Sequence, residues 1–164
     1  MHRVLPFLLL APGCAPQLLE SGFKEDLDRT GGCADVILFA VDADDEVMLH
    51  FSTVEEGRVA EATTAGTPLE YAFTLPSDEI ELEVRQGTQV SDITCDDVAE
   101  NGGPDVVRTW MADGGEATLT LTPGGDLVEA DLVLQEVTFL DEDGNTVGVD
   151  AFTVHAASVG WYAG

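Results

Sequence analysis

Carboxylates are the residues with the most obvious chemical potential in this 164-residue chain, which carries 32 acidic side chains against six basic ones. The densest run is Asp42, Asp44, Asp45 and Glu46, between two apolar segments. Calcium takes about six to eight oxygen ligands, which acidic loops often supply. Asp also favours turns, and in so acidic a chain such runs arise by chance. We therefore predict no cofactor, with calcium at this run as the alternative.

A second acidic segment, residues 141–145, contains Asp143 and Gly144, a pair that favours a tight hairpin turn. The EF-hand calcium loop has regularly spaced oxygen ligands before its glycine and a glutamate after it. Here Phe139 occupies one ligand position, and no glutamate follows at the required spacing. The segment is therefore predicted to be a hairpin turn rather than an EF-hand.

Two histidines, His50 and His155, lie in segments with strand-like alternation. A histidine beside a carboxylate in a cleft would suit a hydrolase, and two histidines on strands could share a metal. The sequence has no Gly-x-Ser-x-Gly elbow, and single histidines on strands are most often surface residues. We expect two surface histidines, assign no catalytic residue and predict that the chain is not an enzyme, with a hydrolase as one alternative.

Adjacent aromatic residues, Trp161 and Tyr162, stand near the C-terminus. Aromatic rings combine an apolar face with a polar edge, so this pair is a candidate ligand surface, for example for a sugar. Trp110 is expected to pack in the interior instead. A calcium-dependent or carbohydrate-binding adhesion module is accordingly another alternative function.

The first 14 residues have the layout of a secretion signal. Arg3 provides a positive start, residues 4–11 form a short apolar run, and small residues precede Cys14. Residues 10–14, Leu-Ala-Pro-Gly-Cys, resemble the lipobox of bacterial lipoproteins, in which the cysteine receives the lipid and becomes the mature N-terminus. The resemblance implies a signal peptide over residues 1–13, lipidation of Cys14 and a membrane anchor.

The chain has three cysteines, and an odd cysteine in an exported protein needs an explanation. Lipidation of Cys14 would leave Cys33 and Cys95 as a pair. Export would place them in an oxidising compartment, so a Cys33–Cys95 disulfide is predicted. Ala15, by resemblance to enteric lipoproteins, permits sorting to the outer membrane.

From Cys33 onward the apolar residues recur with a period of two, which is typical of strands. The clearest example is residues 79–85, where Ile80, Leu82 and Val84 alternate with charged residues. Turn residues separate about eight or nine such segments, as in a β-sandwich or barrel. We predict a single all-β domain over residues 33–164, an antiparallel β-sandwich with a small β-barrel as the alternative. Residues 14–32 are expected to be the lipidated N-terminus and tether.

The last third of the chain is typical of a long hairpin whose alternation changes phase. Apolar positions run in one phase to Leu134 and resume in the other at Val137, and the return strand changes phase between Val149 and Phe152. A change of phase without a turn indicates a β-bulge. We expect a bulge near residues 135–136, with both strands bending at the same level.

Three short motifs are similar to those of small, uncharacterised acidic lipoproteins of myxobacteria and their relatives. They are Gly32-Cys33-Ala34-Asp35, Cys95-Asp96-Asp97 and residues 115–121. The resemblance implies the fold and the envelope address, and it implies no activity.

The net charge of −26 argues against nucleic-acid binding, because phosphate contacts need clustered Lys and Arg. It equally disfavours attachment to anionic lipid through a basic patch. Expected partners are the membrane, through the lipid anchor, and an unknown protein or glycan. The predicted function is a non-catalytic binding or structural module, exported and lipid-anchored in the cell envelope, with the outer membrane favoured.

Overall fold

In the part of the chain that the structure describes, eight strands form one antiparallel sheet. The computed structural model describes residues 19–20, 22–92, 94–96, 102–125 and 127–161. The strands are β1 (Leu27–Cys33), β2 (Ile37–Asp42), β3 (Val47–Thr53), β4 (Leu69–Leu75), β5 (Ile80–Thr88), β6 (Asp105–Gly124), β7 (Leu127–Asp141) and β8 (Thr146–Val159). A short 3-10 helix (Phe23–Glu25) precedes β1, and α1 (Arg58–Ala65) connects β3 to β4.

The sheet curves until its two ends approach each other. Its order is β1-β2-β3-β5-β6-β7-β8, and β4 pairs with the second half of β6, beyond the residues that pair with β5. The Ala34 amide donates to the carbonyl of Trp161, and the Gly160 amide donates to the carbonyl of Ala34, both at 2.7 Å. These bonds join the chain after β1 to the chain after β8, so the sheet is a nearly closed barrel.

The all-β, antiparallel prediction is confirmed, and the strand number falls within the predicted range. Of the two predicted architectures, the single nearly closed sheet corresponds to the barrel alternative. The difference arises from β6, because residues 106–112 and 117–121, which in the sequence are candidates for two separate strands, form one strand of 20 residues. A continuous strand of that length keeps both halves of the sheet together rather than dividing them into two layers.

The inside of the barrel is a packed hydrophobic core. Side chains from successive strands meet there, and Leu49, Trp110 and Leu132 are each at most 1% exposed. The interior of an eight-stranded barrel is just wide enough for side chains to fill. The expected interior position of Trp110 is therefore confirmed.

The predicted β-bulge is present and involves three neighbouring strands. Glu136 in β7 has a φ of 51°, and Gly115 in β6 has a φ of 105°. The pairing of β6 with β7 shifts register at this level, whereas Val137 of β7 still pairs with Val149 of β8. The buried positions change phase in both β7 and β8. The phase therefore changes at the same level in both strands, as expected.

Strand β1 occupies part of the segment that was expected to be a tether. Its two glycines lie where β1 packs closely on its neighbours. A Cβ atom on Gly31 would lie 2.6 Å from the Phe39 ring, and one on Gly32 would lie 2.7 Å from the Ile37 carbonyl oxygen. Glycine in a strand often marks such a close approach, so residues 27–32 belong to the barrel.

Helix α1 was not expected, because its stabilising contact comes from a distant residue. The Asp35 carboxylate accepts hydrogen bonds from the amide of Gly57 and from the amides of Arg58 and Val59, at 3.2 and 3.0 Å. Gly66 ends the helix in the left-handed conformation, and its amide donates to the Ala62 carbonyl. Asp35 thus satisfies amides that a helix N-terminus leaves unpaired.

A small second apolar cluster lies on the outside of the barrel. Val41 of β2 and Met48 of β3 pair across the two strands and pack with Val90, which follows β5. The three side chains are at most 1% exposed. The segment after β5 thus covers the outer face of β2 and β3, and a disulfide from Cys95 to Cys33 ties it to β1.

Candidate functional site

An apolar cleft of about 560 Å³ lies where the first half of β6 runs beside the end of β7. We call it the β6–β7 cleft and define it by Val106, Val107, Met111, Asp113, Leu140 and Glu142.

The apolar side chains of this cleft are unusually exposed. Val107 is 57% exposed, Met111 45% and Val106 38%. Met111 and Leu140 are direct cross-strand partners, so their side chains lie next to each other on one face of the sheet. A group of exposed apolar side chains with a polar rim is typical of a binding surface.

An ion pair between β6 and the β7–β8 hairpin forms one wall of the cleft. Arg108 donates to Asp141 at 2.9 Å and to Asp143 at 3.5 Å. Its guanidinium carbon also lies 5.7 Å from the centre of the Trp110 ring, within the range of a cation–π contact. The positive charge of Arg108 is therefore already engaged within the protein, and its side chain is only 13% exposed.

Asp141 also organises the hairpin turn. Its carboxylate accepts hydrogen bonds from the amides of Asp143 and Asn145, at 3.0 and 2.8 Å, and from the Asn145 side chain at 2.8 Å. Burial alone would raise the pKa of Asp141, but the Asn145 bonds, the charge of Arg108 and the Asp143 amide together lower it below its ordinary value. The prediction of a hairpin turn at residues 141–145 is confirmed.

Two carboxylates on the rim of the cleft have no partner within the described part of the chain. Asp113 and Glu142 are both exposed, and neither makes a hydrogen bond or an ion pair with a described residue. The rim of the β6–β7 cleft is therefore negatively charged, whereas the Arg108 charge in its wall is neutralised.

The expectation of a surface position is wrong for His50. This residue is 7% exposed and lies opposite Glu83 of β5, with 3.7 Å between His50 Nδ1 and Glu83 Oε1. Arg85 donates to the same Glu83 oxygen at 2.6 Å. Burial and, to a lesser extent, the Arg85 charge lower the pKa of His50 to about 4. The imidazole is therefore neutral at pH 7.

His155 is exposed, as expected, and lies on β8. Its Nδ1 atom is 2.8 Å from Asp131, the residue opposite it on β7. Both histidines thus meet a carboxylate, but neither of them lines the β6–β7 cleft. The hydrolase alternative requires a histidine and a carboxylate that meet in a cleft. The β6–β7 cleft has no histidine among its lining residues.

The acidic run at residues 42–46 forms the turn between β2 and β3. The Asp42 carboxylate accepts hydrogen bonds from the amides of Glu46 and Val47, at 2.8 and 3.1 Å, and Asp45 accepts one from Ser91 at 3.1 Å. No group of three or more His, Cys, Asp or Glu side chains among the described residues is placed to hold a metal ion. Asp42 therefore holds the backbone of its own turn, and Asp45 holds the segment after β5.

The remaining predicted site residues divide between described and undescribed parts of the chain. Cys33 and Cys95 form the predicted disulfide, with 5.8 Å between their Cα atoms. Trp161 is 38% exposed, and its carbonyl oxygen accepts the bond from Ala34. Cys14 and Tyr162 lie outside the described residues, so lipidation and the paired aromatic surface remain predictions.

Comparison of the chain with protein-family models, curated proteins and solved structures finds no match. Within the described residues, no helix has the length and apolar character needed to cross a membrane.

The β6–β7 cleft was missed from the sequence, although a signal for it exists. Val106 and Val107 are consecutive apolar residues at the start of a strand, where alternation would place one of the two on the outside. Met111 and Leu140 likewise fall out of phase with the buried Trp110 and Phe139. These out-of-phase apolar residues form one surface only because the pairing of β6 with β7 places Met111 beside Leu140.

Proposed function

We propose that this chain is a non-catalytic, lipid-anchored binding module of the bacterial cell envelope, and that the β6–β7 cleft is its binding surface. The observation that carries the proposal is the set of exposed apolar side chains at Val106, Val107 and Met111, on a protein of net charge −26. So acidic a chain has many polar residues with which to cover its surface. An apolar cleft left exposed there is best explained by a partner that covers it.

The pairing of the cysteines supports the proposed location in the cell envelope. Because Cys33 and Cys95 are bonded to each other, Cys14 is the one cysteine that the disulfide does not use. It occupies the position that the lipobox-like leader assigns to the lipid. Disulfides persist in exported proteins and are rare in the cytosol. We propose the outer membrane as the favoured location, because Ala15 follows Cys14, which by resemblance to enteric lipoproteins permits sorting there.

A binding role suits the chemistry of the cleft better than catalysis does. The half-buried Arg108 and the buried Asp141 are held by one another and by the turn. A general acid or base needs a pKa near the working pH, whereas the surroundings of Asp141 lower its pKa. These groups therefore shape the wall of the cleft, and the apolar side chains supply the contact surface.

The proposed lipid anchor at Cys14 is tested by producing the full chain in a Gram-negative host supplied with an alkyne-tagged palmitate. We expect the wild type to be labelled, the Cys14→Ala variant to lose the label, and the matched Cys33→Ala/Cys95→Ala variant to keep it. Absence of label on the wild type, or label that persists in Cys14→Ala, would contradict the lipid anchor.

The binding surface is tested separately with Nile red, a neutral dye whose fluorescence rises in apolar sites. We expect the Val107→Thr/Met111→Gln variant to lose most of the signal, because both side chains keep their size but become polar. Val54→Thr is the matched control, since Val54 is 65% exposed and lies outside the cleft. Equal signals from all three proteins would count against the cleft as a binding surface.

A further inference from the structure

From the charges around the β6–β7 cleft we infer that its partner is a cationic polypeptide segment that inserts apolar side chains between Val107, Met111 and Leu140. This inference rests on the proposed binding function and adds the chemical class of the partner.

Val107, Met111 and Leu140 form the floor of the cleft, which favours contact with apolar side chains of a partner. Val107 and Met111 are roughly half exposed, and Leu140 lies beside Met111 across the strand pair. At Trp110 and Met111, β6 pairs with β5 on one side and with β7 on the other, whereas the described residues of β6 before Trp110 pair with β5 alone. Because both edges of β6 are occupied at Met111, a partner cannot add a strand there and binds through side chains.

The rim of the cleft selects positive charge. The carboxylates of Asp113 and Glu142 lie on this rim, and no described residue neutralises their negative charges. Arg108, the cation that lines the cleft, is bonded to Asp141 and Asp143. A phosphate, a fatty-acid carboxylate or an anionic headgroup would therefore meet uncompensated negative charge, whereas Lys or Arg beside an apolar side chain would meet complementary charge.

The charge of the whole chain disfavours the other possible occupants. A second copy would bring two molecules of net charge −26 together, and like charges repel over about one Debye length, roughly 8 Å at physiological salt. An anionic bilayer would be repelled in the same way. A cationic segment is instead attracted, and the net charge would speed its association.

The inference is tested by isothermal titration calorimetry of the purified protein with three synthetic heptapeptides. The first has Leu-Val-Leu between two pairs of lysines, the second has Leu-Val-Leu between Ser-Gly pairs, and the third has Ser-Gly-Ser between two pairs of lysines. We expect the first to bind at least tenfold more tightly than either of the others, because it alone matches both the floor and the rim.

Variants then locate the binding. Val107→Thr/Met111→Gln should weaken the first peptide at least tenfold, while the matched Val54→Thr control stays within about twofold. Asp113→Asn/Glu142→Gln should weaken it about fivefold and reduce its salt dependence. Glu70→Gln/Glu129→Gln removes the same charge from exposed positions on β4 and β7 and should have less effect.

Each other outcome overturns the inference in a recognisable way. Equal binding of the two Leu-Val-Leu peptides would leave the cleft as a binding surface and reject the cationic partner. Equal binding of the two lysine peptides, unaffected by the cleft variants, would indicate diffuse attraction to an acidic protein. Cleft-dependent binding to phosphatidylcholine vesicles would indicate a lipid surface instead. No binding of any probe, together with no Nile red signal, would reject the proposed function as well.

Discussion

The guanidinium of Arg108 lies 2.9 Å from a carboxylate oxygen of Asp141 whose side chain has no solvent exposure. This contact joins the start of β6 to the β7–β8 hairpin, and Asp141 also accepts three hydrogen bonds from within the turn. The pair therefore holds in place the two elements whose side chains form the β6–β7 cleft.

The first prediction concerns Asp141→Asn, which keeps the shape of the side chain and removes its charge. At pH 7 we expect the urea midpoint of unfolding to fall, because Arg108 loses its main anionic partner. Glu142→Gln, in the same hairpin but exposed and unpaired, should leave the midpoint nearly unchanged. Equal midpoints for wild type and Asp141→Asn at pH 7 would show that the ion pair contributes nothing.

The pH dependence of this effect has a definite sign. The pKa of Asp141 is lowered in the folded state, so the unfolded chain takes up the proton first as the pH falls. The stabilisation is complete above the unfolded pKa, about 4, and is lost as the pH falls through the folded pKa. The difference between wild type and Asp141→Asn should therefore shrink when unfolding is measured at pH 3.

The second prediction concerns His50, whose pKa is lowered to about 4 by burial and by Arg85. Below pH 6.5 the unfolded chain binds a proton that the folded chain resists, so the free energy of unfolding should fall by roughly 3 kcal/mol between pH 6.5 and 4. Urea unfolding across this range should show a shallower loss for His50→Gln. The control, His155→Gln, removes the exposed histidine and should keep the steep loss.

The third prediction compares adjacent glycines at the β-bulge. A Cβ on Gly115 would lie 2.6 Å from the Glu136 carbonyl oxygen, and its φ of 105° is unfavourable for other residues. Gly114 has open space around the same position. We expect Gly115→Ala to lower the free energy of unfolding by about 2 kcal/mol or more and Gly114→Ala to change it little. Similar losses from both would show that the bulge tolerates a side chain.

The fourth prediction concerns Asp35, which caps α1 through three amides. Asp35→Ala should cost about 1 to 2 kcal/mol of stability, as the loss of a helix cap typically does. Hydrogen exchange should accelerate at residues 57–59, while the matched Asp44→Ala variant, at an exposed position in another turn, should leave those amides unchanged. Unaltered exchange in Asp35→Ala would mean that other contacts hold the helix.

Local patterns in the sequence predict much of this fold. The phase change between Leu134 and Val137 located the bulge, because burial on one side of a sheet forces alternate residues inward. The merging of two segments into β6 and the capping of α1 by Asp35 depend on contacts between distant residues. Such contacts leave no periodicity in the chain, so the barrel and the helix became clear only in the structure.

The candidate site was harder to predict than the fold for the same reason. Acidic runs drew attention to residues 42–46 and 141–145, where Asp42 and Asp141 prove to accept hydrogen bonds from amides of their own turns. The β6–β7 cleft depends on which residue of β7 lies opposite Met111, and the bulge shifts that register. A pairing that depends on a register shift cannot be derived from either strand alone.

An NMR titration of the ¹⁵N-labelled protein with the lysine-flanked Leu-Val-Leu peptide tests the central claim most directly. We expect saturable shifts that are largest at the amides of residues 106–113 and 140–142, and that are much reduced in the Val107→Thr/Met111→Gln variant. Shifts spread evenly over the acidic surface, with Glu70 and Glu129 responding as strongly as Val107, would contradict the β6–β7 cleft as the binding site.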